Sequence, residues 1–401
     1  MNFIEELTWR GLLKDATPGV EELLNNQMVT GYIGFDPTAP ALTIGNYVPI
    51  MLLTLFQRSG HQPVVLMGGA TGRIGDPSGR ETERELKSAE ELDANLAHQA
   101  EQFKKLLNFE EGPNKAIMVN NLDFYQGMSV LDFLRDAGKT LTVNYMLSKD
   151  AVKNRMEGGI SFTEFSYQLL QAYDFEVLFK KYNCVLQMGG SDQWGNIVTG
   201  IDLGRRMGTP QLYALTSPLL TTASGAKMGK TAAGAVWLEA DMLPVYDYWQ
   251  FWRNADDRDV GRFLRLFTDL PLDEIARLEA LEGAAINDAK VVLANEATRL
   301  CRGEDAARAA EATASATFAG GGLGEDLPVL EVPAEGMAIA VACKEIGFAA
   351  SNGEARRKIA EGAVRIDGEA VSDPNHLVVL APGQSSKISL GKKRHGILRA
   401  A

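Results

Sequence analysis

The chain has 401 residues, enough for two or three domains, and its 45% hydrophobic and 23% charged residues are typical of a soluble globular protein. Its net charge of −12 argues against a protein that coats nucleic acid indiscriminately. Three scattered cysteines without CxxC spacing argue against a disulfide framework or a zinc site. No stretch approaches the roughly 18 apolar residues of a membrane span, so we expect a cytoplasmic protein without a membrane partner.

The first part of the chain, residues 1–223, has the pattern of a nucleotide-binding domain. Short apolar runs typical of buried strands alternate there with stretches at helical spacing, which favours a parallel sheet. We therefore predict an α/β fold with a Rossmann-like, doubly wound parallel sheet. The strand patterns fall at residues 29–35, 63–67, 115–120 and 185–188, and the helical ones at 48–58, 88–109 and 162–179.

Three further segments complete the chain. Residues 224–319 begin with a loop and continue with Ala, Glu, Arg and Leu at helical spacing, which predicts an all-helical domain. A glycine-rich stretch then begins a predicted linker at residues 320–333. Residues 334–401 are predicted to form a small α+β domain, with helices at 344–348 and 351–361 and strands at 363–366 and 387–390.

A strand-to-helix turn at residues 34–46 has the composition of an anion site. Backbone donors and small side chains at the start of a helix can face a phosphate. Gly45 would permit close approach of an adenine or a ribose. A simple turn without a ligand is the alternative for this segment taken alone.

Lys227 and Lys230 lie three residues apart in a loop that also contains glycines. Such a pair could act as a mobile clamp on phosphate charge. The end of the loop resembles that of a P-loop, but only three residues separate Gly225 from Gly229, where a P-loop has four. A surface loop with two lysines is the second alternative.

A glycine-rich run at residues 68–80 follows a predicted strand and lacks the GxGxxG spacing of a dinucleotide site. Asp76 within it could bind an ammonium group. Arg80 and Arg84 could fold over a triphosphate. Solvated loop arginines are the alternative.

Tyr167, Gln171 and Asp174 are spaced by four and seven residues, which places them on one face of a helix. A core helix would carry Leu or Val there, so polar side chains predict a lined pocket. A hydrogen-bonded cluster in the core is the alternative.

Asp192 and Gln193 follow a predicted strand directly. Ligands of open parallel sheets gather at the carboxyl ends of strands. Asp192 could accept hydrogen bonds from ribose hydroxyls, and Gln193 could bond a small polar substrate. An ordinary strand–loop–helix connection is the alternative.

Together and in this order, these segments resemble the bacterial tyrosyl-tRNA synthetases, a family of class I aminoacyl-tRNA synthetases. The similarity extends over nearly the whole chain. The turn at 34–46 and the loop at 224–231 correspond to the HIGH and KMSKS signatures, and residues 353–368 are similar to S4-type RNA-binding domains. The resemblance implies a tyrosine–tRNA ligase, which forms tyrosyl-adenylate and pyrophosphate from tyrosine and ATP and charges the 3′ end of tRNA(Tyr).

The resemblance implies a role for each matching position. Tyr32 and Asp174 would bind the phenol hydroxyl of tyrosine, Asp76, Tyr167 and Gln171 its ammonium group, and Gln193 its carboxylate region. The ATP-binding residues would be Asp36, Gly45, Gly190, Asp192, which contacts ribose, and Lys230. The catalytic set would be Thr38, Thr43, Asn46, Arg80, Arg84, Lys227 and Lys230, although the family more often has Lys at the position of Arg80.

The resemblance also implies partners. Mg²⁺ would accompany ATP, without a structural metal in the protein, and a helical insertion at about residues 122–160 would pair two subunits. The helical domain would bind the anticodon region of tRNA. Residues 331–401 hold ten Lys or Arg and eight Asp or Glu, whereas the rest of the chain is acidic, so phosphate contacts are expected there. The candidates are Arg356, Arg357 and Lys358 and the tail at residues 392–394, and for each of them a solvated surface charge is the alternative.

The chain departs from the family at the HIGH signature, whose two histidines are Thr43 and Asn46 here. Asn46 can donate a hydrogen bond as a neutral histidine does. Thr43 is shorter than histidine and cannot carry charge. We expect its contact with the ATP phosphates to be weaker or water-mediated, with Thr38, Lys227 and Lys230 supplying more of the stabilisation.

Two other functions are weighed against this one. A tryptophanyl-tRNA synthetase is disfavoured because an indole would leave a buried pair of Asp174 and Tyr32 unsatisfied. A synthetase-derived RNA-binding scaffold with a decayed active site is favoured only by the missing histidines. The lysines of the loop and the acids Asp76, Asp174 and Asp192 argue against it.

Overall fold

The structure is a computed structural model that describes residues 1–78, 82–156, 158–223, 225, 228, 230–231, 234–319, 327–381, 383–391 and 394–400. The chain divides into two compact units. The first comprises residues 1–229 and 261–268, and the second residues 230–260 and 269–401. None of the helices in the described ranges is long and apolar enough to cross a bilayer.

A six-stranded sheet organises the first unit. Its strands are β1 (Asp15–Ala16), β2 (Thr30–Phe35), β3 (Gln62–Met67), β4 (Ile117–Asn120), β5 (Cys184–Gly190) and β6 (Tyr213–Ser217). Their order is β1-β6-β5-β2-β3-β4, and every neighbouring pair is parallel except β1 with β6. The predicted doubly wound α/β fold is confirmed.

Helices connect these strands on both faces of the sheet. They are α1 (Phe3–Arg10), α2 (Val20–Asn26), α3 (Ile44–Arg58), α4 (Ala89–Leu106), α5 (Leu122–Tyr125), α6 (Val130–Asp136), α7 (Val143–Leu147), α8 (Asp150–Met156), α9 (Phe162–Tyr182) and α10 (Trp194–Arg206). Helix α3 links β2 to β3, and α10 links β5 to β6. The four short helices α5–α8 occupy most of the predicted insertion.

The position of the site follows from the strand order. The chain leaves β2 towards β3 on one side and leaves β5 towards β6 on the other, so the adjacent strands β2 and β5 form a switch point. At such a point the connections diverge and open a crevice beyond the carboxyl ends of the strands. Beneath it the sheet is filled by buried apolar side chains, among them Val64, Leu66, Phe175 and Leu178.

The second unit contains a helical part that begins after a short hairpin. The hairpin pairs β7 (Lys230–Thr231) with β8 (Gly234–Ala235). The helices are α11 (Val245–Arg253), α12 (Asp257–Phe267), α13 (Leu272–Glu279), α14 (Ile286–Arg302) and α15 (Glu304–Ala319), and residues 261–267 of α12 cluster with the first unit. Trp249 and Trp252 are fully buried, and the Trp249 indole donates a 2.7 Å hydrogen bond to Asn295.

The C-terminal part is a five-stranded sheet with two helices and a small second sheet. The five strands have the order β12-β11-β14-β15-β9, and β10 pairs with β13. The elements are β9 (Val329–Val332), β10 (Met337–Ala338), α16 (Ile339–Glu345), α17 (Asn352–Ala360), β11 (Val364–Ile366), β12 (Glu369–Val371), β13 (Leu377–Val378), β14 (Ser385–Leu390) and β15 (Arg394–Ala400).

Two expectations for this part differ from the structure. The helix expected at 344–348 is α16 instead, because the buried residues Ile339, Ala342 and Cys343 supply its apolar face and Gly347 ends the turn with a φ of 82°. The predicted linker at residues 320–333 contains strand β9 near its end. This strand pairs in parallel with β15, the last strand of the domain. Because that pairing is long-range, the local pattern did not indicate it.

Candidate active site

A cavity of about 310 Å³ opens at the switch point between β2 and β5. Its walls come from the ends of these strands, the start of α3, the loop after β3 and one face of α9. Most of the predicted site residues line it, namely Tyr32, Asp36, Thr38, Gly45, Asn46, Asp76, Arg84, Tyr167, Gln171, Asp174, Gly190, Asp192 and Gln193.

Asp174 and Tyr32 line the buried end of the cavity. Asp174 is 1% exposed and accepts 2.8 Å hydrogen bonds from the Asn121 amide at Oδ2 and from the Tyr125 hydroxyl at Oδ1. Burial raises the pKa of the Asp174 carboxyl to about 8, although both hydrogen bonds lower it. The Tyr32 hydroxyl is buried and has no partner among the described residues. Because an unpaired buried hydroxyl is costly, this end of the cavity suits a ligand with a hydroxyl group.

A second acid, Asp36, lies at the end of β2. It accepts a 2.6 Å hydrogen bond from the Thr71 hydroxyl and a 2.9 Å hydrogen bond from the Tyr167 hydroxyl. Burial and, to a smaller extent, the nearby charge of Asp76 raise the pKa of Asp36 to about 6, although the hydrogen bonds from Thr71 and Tyr167 lower it. Gly68 is required beside it, since a Cβ there would lie 2.0 Å from Asp36 Oδ1. Two neighbouring acids in one pocket favour a bound cation.

Asp76 is held by the segment that follows β5. Its Oδ2 accepts a 2.7 Å hydrogen bond from Gln193, and its Oδ1 accepts one from the Ser78 backbone at 2.9 Å. The Asn196 amide donates to Gln171 at 3.1 Å and to Gln193 at 3.2 Å. The loop after β3, the loop after β5 and helix α9 are therefore joined by one hydrogen-bond network.

The opposite end of the cavity is more open. Gly45 and Asp192 are exposed there, and Thr38, Asn46 and Gly190 line the wall. A Cβ at Gly190 would lie 2.7 Å from Asp192 Oδ1, so glycine leaves space for that carboxylate. This end can accept a larger polar ligand.

The residues that replace the HIGH histidines bond to each other at the start of α3. The backbone nitrogen and the hydroxyl of Thr43 donate to Asn46 Oδ1 at 2.9 Å and 3.2 Å, and the Asn46 backbone donates to the Thr43 carbonyl at 2.9 Å. Asn46 lines the cavity, whereas Thr43 is absent from its lining. The Thr43 hydroxyl thus serves the helix cap, and its contact with phosphate stays a prediction.

Few of the predicted cations can be located in the structure. Arg84 lines the cavity, and its Nε donates to the Asp76 carbonyl at 3.3 Å. Arg80 and Lys227 lie outside the described residues. The backbone of Lys230 belongs to β7, but the Lys230 side chain is not among the described parts of the structure.

The predicted RNA contacts differ in their exposure and in the partners that their side chains have. Arg356 and Arg357 are exposed on α17, whereas Lys358 forms a 2.5 Å ion pair with Glu354. Arg394 is half-buried and its guanidinium donates to the Phe348 carbonyl, so its contact with RNA stays a prediction. The two lysines before it lie outside the described residues.

Comparison with known proteins decides the family. A family model of class I tRNA synthetases (W and Y) matches residues 24–319, and an S4 domain model matches residues 339–380. A tyrosine–tRNA ligase of Novosphingobium aromaticivorans is 56% identical over 399 residues, with 98% of this chain and 97% of the relative covered. The chain belongs to the class I tyrosyl-tRNA synthetases. A second relative, from Brucella suis, is a tyrosine–tRNA ligase 52% identical over 411 residues, with 100% of this chain and 99% of the relative covered.

Solved structures agree with this family. A truncated mitochondrial tyrosyl-tRNA synthetase of Aspergillus nidulans has a TM-score of 0.72 and 32% identity, with 79% of this chain and 94% of that chain covered. A tryptophanyl-tRNA synthetase of Encephalitozoon cuniculi has a TM-score of 0.57 at 14% identity, with 76% of this chain and 87% of that chain covered, which shows a shared fold alone.

Several residues of this synthetase site were not predicted. Asn121 bonds Asp174, Thr71 and Ala70, and Tyr125 bonds Asp174. Asn121 directly follows strand β4, so the strand-end rule that indicated Asp192 applies to it as well. Gln187 lines the cavity from within β5, is 2% exposed, and has an Oε1 without a partner among the described residues. No motif or spacing in the sequence indicated Tyr125 as a site residue. In the described ranges no group of three or more His, Cys, Asp or Glu side chains could hold a metal ion.

Proposed function

We propose that this chain is a tyrosine–tRNA ligase that converts L-tyrosine and ATP to tyrosyl-adenylate and pyrophosphate, then transfers the tyrosyl group to the 3′ end of tRNA(Tyr). The observation that carries the proposal is the pair formed by Asp174, a buried acceptor, and Tyr32, whose buried hydroxyl has no partner among the described residues. Both face the closed end of the cavity.

The phenol hydroxyl of tyrosine completes this pair. It donates its proton to the Asp174 carboxylate, and its oxygen accepts from the Tyr32 hydroxyl. Phenylalanine would leave the Tyr32 hydroxyl buried without a partner and would deprive the buried Asp174 carboxylate of one donor, at a cost of about 1–3 kcal/mol for each group. Tyrosine is therefore selected by the groups that phenylalanine would leave unsatisfied.

The other end of the amino acid meets the remaining acids. Asp76 provides negative charge for the α-ammonium group, and Tyr167 and Gln171 supply hydrogen bonds from the same face of α9. Asp36, which the sequence predicted among the ATP-binding residues, bonds Tyr167 and adds negative charge to the same pocket. Gln193 lies between Asp76 and Gln171, within reach of the tyrosine carboxylate. Bound in this way, tyrosine would direct its carboxylate towards the open end of the cavity.

MgATP would occupy that open end. Asp192 accepts from the ribose hydroxyls, and Gly45 and Gly190 allow the nucleoside to approach the backbone. The phosphates lie near Thr38, Asn46 and Arg84, with Arg80, Lys227 and Lys230 as the further cations. Mg²⁺ enters as part of the substrate.

The reaction needs positioning more than acid–base chemistry. The tyrosine carboxylate oxygen attacks the α-phosphorus in line, a new P–O bond forms, and the bond to the pyrophosphate oxygen breaks. Cations and hydrogen-bond donors stabilise the charge that shifts onto pyrophosphate. Imidazole is not needed as a base, which is consistent with the absence of both HIGH histidines.

The insertion supports a homodimer. On α6 it exposes large apolar side chains, with Val130 at 74% and Leu131 at 77% exposure, and Phe162, just beyond it at the start of α9, is 77% exposed. Exposed apolar patches of this kind mark protein interfaces. We assign the interface to about residues 122–160.

The remaining domains would hold tRNA. We assign residues 1–223 to catalysis, 224–319 to the KMSKS-like loop and the anticodon-binding helices, and the part of the chain from β9 onward to the S4-like domain. Arg356 and Arg357 are its exposed cations. Because the reaction serves translation, we place the enzyme in the cytoplasm.

Tyrosine-dependent exchange of pyrophosphate into ATP tests the proposal directly. We expect exchange with tyrosine and none with tryptophan. Absence of tyrosine-dependent exchange in a chain that still binds structured RNA would favour the scaffold alternative and contradict the proposal.

A further inference from the structure

We infer that Tyr125 is a positioning residue for tyrosine selection, which holds Asp174 in the acceptor state that the substrate phenol requires. The inference rests on the proposed contact between Asp174 and tyrosine. Tyr125 belongs to helix α5 in the insertion, far along the chain from the strands and the helix that line the cavity.

The Tyr125 hydroxyl lies between two acceptors. Its oxygen is 2.8 Å from Asp174 Oδ1 and 3.0 Å from the carbonyl oxygen of Leu170. A phenol carries a single proton, so the hydroxyl can make only one good donation at a time. The position of this proton depends on the state of the carboxyl.

Both states of Asp174 can be satisfied by this arrangement. When the carboxyl is ionised, Tyr125 donates to Oδ1 and Asn121 donates to Oδ2. When the carboxyl is protonated at Oδ1, it donates to the Tyr125 oxygen, and Tyr125 donates to the Leu170 carbonyl. Each proton has an acceptor in either state.

The ionised state is the one that tyrosine needs, because its phenol must donate a proton to Asp174. Burial opposes that state and raises the pKa of the carboxyl to about 8, whereas the hydrogen bonds from Asn121 and Tyr125 lower it. Among the described residues these are the two hydrogen-bond donors to Asp174. Loss of the Tyr125 hydroxyl would leave Oδ1 without its donor and favour the protonated carboxyl, which competes with the substrate phenol as a donor.

The ring of Tyr125 is held independently of its hydroxyl. It packs against Phe133 and Tyr173, each with a centroid distance of 5.9 Å. Tyr125→Phe therefore keeps the ring and its packing and removes only the hydrogen bond. Tyr173→Phe is a matched control, because it removes a hydroxyl from the same aromatic cluster and no hydrogen bond joins that hydroxyl to Asp174 in the described residues.

The test compares the full-length unaltered chain, Tyr125→Phe and Tyr173→Phe in pyrophosphate exchange with tyrosine and with phenylalanine. In Tyr125→Phe we expect the KM for tyrosine to rise and the kcat/KM ratio of tyrosine over phenylalanine to fall, each by about ten- to a hundredfold, as for loss of a hydrogen bond to a charged group. The KM for ATP should stay at the value of the unaltered chain. The thermal midpoint should fall only by the amount expected for loss of one buried hydroxyl, because the ring packing is kept. Tyr173→Phe should match the unaltered chain throughout.

Three results would overturn the inference. Unchanged tyrosine KM and discrimination in Tyr125→Phe would show that Asp174 needs no help from the hydroxyl. A parallel loss for tyrosine and ATP, together with a larger fall in the thermal midpoint, would show a merely structural role. Absence of tyrosine-dependent exchange in the unaltered chain would overturn the proposed function itself, and is thereby distinguishable from failure of this inference alone.

Discussion

The two ends of the cavity are built in opposite ways. At the phenol end, Asp174 and Tyr32 are almost inaccessible, and Asp174 is held by hydrogen bonds from Asn121 and Tyr125. At the ATP end, Gly45 and Asp192 are exposed. Discrimination between similar amino acids needs groups that are costly to leave unpaired, whereas phosphate chemistry needs access and positive charge. We therefore expect the closed end to select the amino acid and the open end to hold the reacting phosphates.

The largest expected effect comes from Asp174→Asn at the closed end. The substitution removes the carboxylate that accepts the phenol proton, so kcat/KM for tyrosine should fall by about a hundredfold or more. The KM for ATP should change little, because the ATP end keeps all its residues. Pyrophosphate exchange measured at varied tyrosine and at varied ATP checks both statements, and an equal loss for the two substrates would contradict the division of the cavity.

Tyr32→Phe should affect stability and activity in opposite directions. The hydroxyl is buried and has no partner among the described residues, so its removal should stabilise the ligand-free protein by about 1 kcal/mol. Its loss should also lower kcat/KM for tyrosine by about tenfold. Tyr167→Phe is the contrasting control, since that hydroxyl bonds Asp36 and its removal should destabilise the protein. If Tyr32→Phe had a lower thermal midpoint than the unaltered chain, the claim that the Tyr32 hydroxyl is unpaired would be contradicted.

The pH dependence of stability should carry the signature of Asp174. Its pKa is about 8 in the folded chain and about 3.9 when unfolded, so its contribution to stability is present at low pH and lost as pH rises through about 8. Between these two pKa values the loss is about 1.4 kcal/mol per pH unit. Asp174→Asn has no carboxyl at this position and therefore lacks this pH-dependent loss. The thermal midpoint of the variant minus that of the unaltered chain should be larger at pH 8 than at pH 5. A pH-independent difference would contradict the raised pKa.

The smallest effect is expected at the open end. Thr43→Ala removes the hydroxyl that caps α3, which should cost about 1 kcal/mol of stability. Because Thr43 does not line the cavity, kcat for adenylate formation should fall less than in Asn46→Ala, measured side by side. A larger loss in Thr43→Ala would assign Thr43 a direct role with the ATP phosphates.

Sequence patterns with a local cause predicted much of this molecule. The alternation of strands and helices predicted the sheet, and the spacing of Tyr167, Gln171 and Asp174 placed all three on one side of α9, where they line the cavity. These features depend on backbone periodicity, which a sequence displays directly.

Contacts between distant segments were not predictable in the same way. Tyr125 reaches Asp174 from the insertion, and β9 pairs with β15 across the C-terminal domain. Nothing in the local sequence of either segment indicates its partner. The helix start in the turn at residues 34–46 was predicted, whereas the hydrogen bonds between Thr43 and Asn46 at that start were not.

The most direct test of the account is the preference for tyrosine over phenylalanine, measured as the ratio of kcat/KM in pyrophosphate exchange. It should be measured in the unaltered chain and in Asp174→Asn. If buried, unsatisfied groups at the closed end select tyrosine, the ratio should be large in the unaltered chain and should fall by about a hundredfold or more in the variant. An undiminished ratio in Asp174→Asn would contradict the account.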